Sequence, residues 1–224
     1  MKPYSLKIAL TGAHGTGKTT LAANLSQRLQ SQMSVIVTPE VPRLFIQETG
    51  DASFFKRGQN TVERQFLILM RQLEVEHLLS EVGPDLVICD RTIVDHWAYT
   101  RQLFPSRTSA PEGDLWQDFV FRWARTYDAI IRLPPEFPPV DDGVRESDLD
   151  FQSAIDRRIQ ELYRTIGIKL RTARGSLKER TDFCIALIMK IMSNRQHEVY
   201  RSDPLTIKKG DLSYVKSAYP SFAG

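Results

Sequence analysis

Near the N-terminus, Gly12-Ala13-His14-Gly15-Thr16-Gly17-Lys18-Thr19 fits the spacing Gly-x-x-x-x-Gly-Lys-Thr and is followed by Thr20. In that pattern glycines let backbone N–H groups wrap a polyanion, and the start of a helix adds positive potential. The lysine reaches the β- and γ-phosphates and the threonine hydroxyl binds Mg²⁺. Residues 12–20 are therefore the expected cradle of a nucleoside triphosphate, with Lys18 and Thr19 in those two roles. His14 occupies a variable position and contributes only its backbone. No Asn-Lys-x-Asp tetrapeptide for reading guanine is present, which favours ATP.

Four further places carry charges suited to the same chemistry. Asp90 ends the apolar run Asp85-Leu86-Val87-Ile88-Cys89-Asp90 and is placed to reach the Mg²⁺ shell. Arg91 follows it, with the planar fork that suits an acceptor or a moving phosphoryl group. Glu40, in Val37-Thr38-Pro39-Glu40-Val41-Pro42-Arg43, is expected on the same rim, as a general base toward an acceptor hydroxyl or as the anchor of a substrate hydroxyl. Arg43 either pairs with Glu40, contacts the substrate or is a surface residue. Arg145 lies on a loop that could close over the triphosphate and exclude water, unless it only pairs with its acidic neighbours. After a fifth apolar run, Arg174 belongs to a turn, residues 171–176, whose backbone is a candidate to face the purine, with Ser176 capping the next helix. Phe54-Phe55-Lys56-Arg57-Gly58-Gln59-Asn60 is either an acceptor pocket built by ring stacking or a packed loop, and Trp97 and Tyr99 are either pocket or core residues.

Residues so placed need a scaffold with one common rim. Five β-branched or aliphatic runs, 6–11, 34–38, 86–89, 129–133 and 166–172, read as buried strands. Segments with helical spacing alternate with them, such as Leu21, Leu25 and Leu29, then Val62, Phe66, Leu69 or Met70, and Leu73, with His77 on the same stripe. That alternation implies an α/β fold with a mainly parallel sheet, helices on both faces and chemistry beyond the carboxyl ends of the strands. Thr92-Ile93-Val94-Asp95 fits a capping box, so a helix is expected to start just after Asp90. Pro134, Pro135, Pro138 and Pro139 rule out helix or central strand there, leaving a loop and lid over about 134–150. Helices are expected from 149 to about 163 and after Ser176. The first 192 residues form one domain in this reading, and 193–224 an extension read as a small hairpin or a partly ordered tail.

The chain has 224 residues, 42% apolar and 25% charged, which suits a globular protein with one sizeable core. A net charge of +3 on this length reflects solvated surface more than a polyanionic partner. Two cysteines are too few for a disulfide framework and suit a reducing compartment. No leader-type core and no run of eighteen apolar residues is found, so a cytoplasmic location without membrane span is expected.

On Gly12 to Thr20, Glu40 with Arg43, Asp90-Arg91, Asp142-Gly143-Val144-Arg145 and the segment Thr172 to Arg180, the chain resembles the P-loop ATPase and kinase domains of the ribosylnicotinamide-kinase (NadR-like) group. It is similar, more loosely, to thymidylate and deoxynucleoside kinases. The resemblance spans about residues 7–191. It implies a three-layer α/β/α P-loop fold with a parallel five-stranded sheet in the order 2-3-1-4-5, a lid around Arg145, and phosphorylation of a small hydroxyl-bearing ligand such as a nucleoside or nicotinamide riboside.

The expected catalytic set is Lys18, Glu40, Asp90, Arg91 and Arg145. Glu40, Arg43, Arg91 and Asp95 are expected to hold the acceptor, and Thr19 and Asp90 the metal. ATP, Mg²⁺ and a small-molecule acceptor are the expected ligands, with a homo-oligomer left open and nucleic acid disfavoured because no basic channel is evident. The alternative is a nucleotide-dependent switch or binding module without a small acceptor, its contacts made by the tail around Lys208 and Lys209.

Overall fold

The computed structural model describes residues 5–50, 60–109, 111–136 and 148–202. Five parallel strands make one sheet: β1 (Leu6–Thr11), β2 (Val35–Val37), β3 (Leu86–Asp90), β4 (Ala129–Arg132) and β5 (Arg171–Thr172). Their order is β2-β3-β1-β4-β5, as the family resemblance implies. Leu10 is opposite both Asp90 and Ile131, so the carboxyl ends of β1, β3 and β4 finish at one rim. Among the described residues eight helices connect or follow the strands: α1 (Lys18–Leu29), α2 (Val41–Thr49), α3 (Val62–Val82), α4 (Ile93–Leu103), α5 (Pro105–Thr108), α6 (Pro111–Ala124), α7 (Leu149–Ile166) and α8 (Leu177–Ser202).

The two-residue period of the strands divides the core in two. Leu6, Ile8 and Leu10 of β1, with Leu86, Ile88 and Ile131, meet Leu21, Leu25 and Leu29 of α1 and Cys184 and Ile188 of α8. Ala9, Val87, Cys89 and Ile130 point the other way, onto Trp97 of α4, Val120 of α6 and the Ile155, Ile159 and Tyr163 stripe of α7. β1 and β3 are covered on both faces, which is why they read as nearly continuous apolar runs. Leu25 is fully buried, and its replacement by alanine would cost about 3 kcal/mol of transfer and cavity energy. Both cysteines are buried and free, and burial pushes the Cys184 thiol up to about 12.

Several boundaries differ from those read in the sequence, each for a physical reason. Residues 166–170 are not strand: Ile166 completes the apolar stripe of α7, and Gly167 at φ 75 caps that helix, leaving β5 only two residues. β2 is three residues long, and Glu40 is the N-cap residue of α2 rather than the end of a strand. The inward stripe of α3 is Val62, Gln65, Ile68, Leu69, Gln72, Val75, Glu76 and Leu79, whereas Met70 and His77 are exposed. α8 passes without a break through residue 192, where the sequence reading ended the domain. Among the described residues no helix is long and apolar enough to cross a membrane.

Candidate active site

The loop between β1 and α1 has the backbone its glycines were expected to supply. Gly12, Gly15 and Gly17 have φ of 145, 71 and 86. A side chain at Gly12 would collide with the carbonyl oxygen of Leu133, so the close approach of loop and β4 depends on glycine. Lys18 Nζ donates to the carbonyls of Gly12 at 2.8 Å and Ala13 at 2.6 Å, which holds the buried ammonium over the loop. Three helices brace the loop from outside. Gln152 of α7 donates to the His14 carbonyl at 2.7 Å, and Arg180 of α8 to the Thr16 carbonyl at 2.8 Å. Tyr99 Oη of α4 accepts the His14 backbone N–H at 3.0 Å and lies 2.9 Å from its Nδ1. His14 thus contributes its ring as well as its backbone, packed beside Tyr99 and Phe151.

Asp90 sits at the tip of β3, 2% exposed, with its N–H on the Thr38 hydroxyl at 2.9 Å and its carboxylate beside the Thr19 hydroxyl. Its Oδ1 is buried with no hydrogen-bond partner. Burial pushes this carboxyl up from its ordinary value, Glu40 adds to the shift, and Thr19, Lys18 and Arg91 oppose it. An orphaned carboxylate oxygen beside a threonine hydroxyl fits a divalent cation, so Thr19 and Asp90 are the residues that would hold Mg²⁺. Among the described residues no group of three or more His, Cys, Asp or Glu is placed to hold a metal.

Glu40 and Arg91, 51 residues apart in sequence, meet beside Asp90. Arg91 Nε donates to Glu40 Oε1 at 2.9 Å with both side chains 4% exposed. Arg43 Nε donates to the other oxygen, Oε2, at 2.8 Å. α2 places this pair of partners, since Glu40 caps the helix and Pro42 starts it with a fixed φ. Burial opposes the Arg91 charge most strongly, but Glu40 together with Tyr99, Asp95 and Asp90 outweighs it and holds the guanidinium above the ordinary arginine value. Arg91 also lies over the Tyr99 ring, 5.6 Å from its centroid. Its backbone has φ 94, a conformation that costs a residue with a side chain about 1–3 kcal/mol. A groove of about 450 Å³ opens beside these groups, with Thr19, Asp90 and Glu40 at one end and Ala23 and Gln27 of α1 along its wall.

The remaining expected site residues part company. Asp95 has no exposure, and its Oδ1 accepts the hydroxyls of Thr11 and Thr92 beneath the loop, while its Oδ2 is buried with no hydrogen-bond partner. The Thr92 hydroxyl accepts the Asp95 N–H at 3.1 Å and so caps α4 as expected. Trp97 is core. Arg174 is turned to Glu136 at 3.0 Å. Arg145, the rest of 137–147, and 54–59 lie outside the described residues, as does the expected hairpin after Ser202. Arg180 and Glu136 were not legible as site residues: Arg180 is buried and bonds both Thr16 and Glu136, at 2.8 Å each. Only its position one turn into the helix after the 171–176 turn hinted at this.

The comparisons with known proteins agree with this architecture. A thymidylate kinase of Xanthomonas euvesicatoria pv. vesicatoria (strain 85-10) is 26% identical over 135 residues, which is 60% of this chain and 59% of that enzyme's length. Among solved structures, NadR protein in complex with NR has a TM-score of 0.67 and 15% identity, over 94% of this chain and 54% of that one. NadR in complex with NAD and AMP-PNP gives 0.62 and 14%, over 92% and 52%. Deoxyadenosine kinase from M. mycoides with bound dATP gives 0.57 and 16%, over 84% and 99%. At these identities the solved structures establish the P-loop kinase fold, and this chain spans only about half the length of the NadR chains. The family model described as AAA domain matches residues 7–180, most of the sequence including the loop, Glu40 and the Asp90-Arg91 pair, and the chain belongs to that family.

Proposed function

We propose that the chain is an ATP- and Mg²⁺-dependent phosphotransferase whose acceptor is a small hydroxyl-bearing molecule of the nucleoside class, nicotinamide riboside among the candidates. The observation that carries this is the buried Glu40–Arg91 pair, set beside Asp90 and Thr19 on the rim that also holds the phosphate loop. A loop protein that only bound nucleotide would not need a second, desolvated carboxylate and guanidinium next to its metal position. The kinases among the similar proteins support the same class of reaction.

In this proposal Lys18 and the amides of residues 12–19 bind the triphosphate, and Thr19 and Asp90 hold Mg²⁺, which supplies Lewis-acid neutralisation of phosphate charge when bound. Glu40, paired with two guanidinium groups, takes the acceptor hydroxyl's hydrogen and orients its oxygen. Arg91 keeps its charge in a site of low polarity and stabilises negative charge on the transferred group. Arg145 and the segment around it are proposed as the lid. Most of the rate comes from positioning and fixed charge. The test is ADP release with ATP, Mg²⁺ and a panel of nucleosides that includes nicotinamide riboside. Stimulation by at least one acceptor is expected; release that no acceptor increases would leave the nucleotide-dependent switch in its place.

A further inference from the structure

Arg91 holds a left-handed backbone that nothing in its own side chain favours, so the surroundings must impose it. The nearest organised support is a carboxylate outside the site. Glu76 of α3 has no exposure, and four donors converge on it. Its Oε1 accepts from Tyr127 Oη at 2.7 Å and Gln72 Nε2 at 2.8 Å. Its Oε2 accepts from Trp123 Nε1 at 2.8 Å and pairs with Lys7 Nζ at 3.4 Å. Lys7 in turn lies over the Trp123 and Tyr127 rings, 4.7 and 4.9 Å from their centroids.

Two of the four donors continue to the strained turn. Tyr127 Oη accepts the backbone N–H of Ile93 at 3.1 Å, and Gln72 Nε2 lies 3.5 Å from the Arg91 carbonyl oxygen. Gln72 Oε1 is also 3.3 Å from His96 Nε2 on α4. The direction of the chain is fixed: the Ile93 amide donates to the tyrosine hydroxyl, which donates to the carboxylate. Burial and the Glu76 charge push the Tyr127 hydroxyl well above its ordinary value, so it remains a donor. An ionised carboxylate accepts from all four neighbours, whereas an amide would set an –NH₂ against two of them.

We propose that Glu76, acting through Tyr127 and Gln72, is a positioning residue that holds the turn at Arg91 in its left-handed form and so aims the guanidinium at Glu40. The proposal rests on the phosphotransferase reading of the Arg91–Glu40 pair. Replacing Glu76 itself would strand the buried Lys7 charge and endanger folding, so the informative variant is Tyr127→Phe in the full chain.

With ATP saturating, Tyr127→Phe is expected to lower kcat about tenfold, from the orphaned Ile93 amide and loosened turn, while leaving ATP affinity within about twofold. In an Arg91→Ala background the same substitution should change the residual kcat by less than about twofold, because the side chain it served is gone. Equal losses in both backgrounds would overturn the proposal and leave the network a plain stabiliser. Amide hydrogen exchange supplies a readout that needs no acceptor: exchange at residues 91–93 should speed up by about tenfold in Tyr127→Phe while residues 14–18 keep their rates. Unchanged exchange at 91–93 would also overturn it, whereas faster exchange in a chain without phosphotransfer would sink the proposed function alone. Should Tyr127→Phe fail to fold, Gln72→Met keeps the Lys7, Trp123 and Tyr127 contacts and is expected to give the same pattern.

Discussion

Two glutamates in this molecule are each gripped by a pair of arginines, in opposite surroundings. Glu40 holds Arg91 and Arg43, and its side chain and that of Arg91 are 4% exposed. Glu136 holds the exposed Arg174 and the buried Arg180, and also takes the Gly175 N–H at 2.9 Å. The residue types match, yet the physics differs. Between Glu40 and Arg91 water is excluded, so each of these two charges depends on its partner and on the strands and helix cap that place it. Around Glu136 water screens the pair with the exposed Arg174, which leaves that glutamate as a tether between the turn at Gly175 and the buried arginine bracing the phosphate loop.

That contrast can be tested from its strongest consequence downward. Glu40→Gln should destabilise the fold by about 3 kcal/mol in denaturant titration, because Arg91 is left desolvated without a counter-charge. The same variant should still bind ATP in calorimetry but turn over more slowly; wild-type turnover would remove Glu40 from the chemistry. Arg180→Ala should weaken ATP binding about tenfold, through the lost bond to the Thr16 carbonyl, with little effect on acceptor KM. A loss confined to acceptor KM would place Arg180 on the wrong side of the site. Glu136→Gln should have the smallest effect, under about twofold on ATP affinity and shrinking further as salt is raised. A salt-independent loss would mean that the pair at Glu136 is not solvated after all.

Acid should separate the two regions by sign. Burial, reinforced by Glu40, raises the Asp90 carboxyl, so the ionised form is disfavoured in the ligand-free protein and the group takes up its proton above the ordinary value of 3.8. Its titration therefore favours the ligand-free fold as pH falls, while Mg²⁺-nucleotide affinity, which needs the anion, declines over that window. The Gly175 N–H, then Arg180 and Arg174, hold the Glu136 carboxyl below the ordinary 4.5. Its contribution is present in full above 4.5 and is lost only as pH falls through the lower folded value. Affinity measured against pH in wild type and Asp90→Asn checks this: the decline should disappear in the variant, whose weaker binding should be nearly flat.

Much of the buried half was legible in the sequence, because glycine spacing and continuous apolar runs are strong local signals. Residues 12–19, β1, β3 with Asp90, and the cap at Thr92 follow from them directly. Glu40 was found by its place after a short strand, although its helix cap was not. What escaped reading was decided by contacts between distant segments. The inward face of α3 carries Gln65, Gln72 and Glu76, and polar residues at buried positions shift an apolar stripe away from its true side. Ile166 and Ile168 are β-branched and look like strand, yet α7 packing and the Gly167 cap claimed the first of them. Arg180 resembles any helix-surface cation until the fold brings it 2.8 Å from the Thr16 carbonyl. The left-handed Arg91 has no local signature, since the side chains that impose it come from α3 and from the segment before β4.

The account stands most directly on the phosphate loop, and calorimetric titration of ATP at millimolar Mg²⁺ into wild type and Lys18→Ala tests it. Saturable uptake by the wild-type chain, weakened severely by the lysine substitution, is the predicted result. Absence of heat and of competition by ADP in the wild type, or equal affinity in the two proteins, would contradict it.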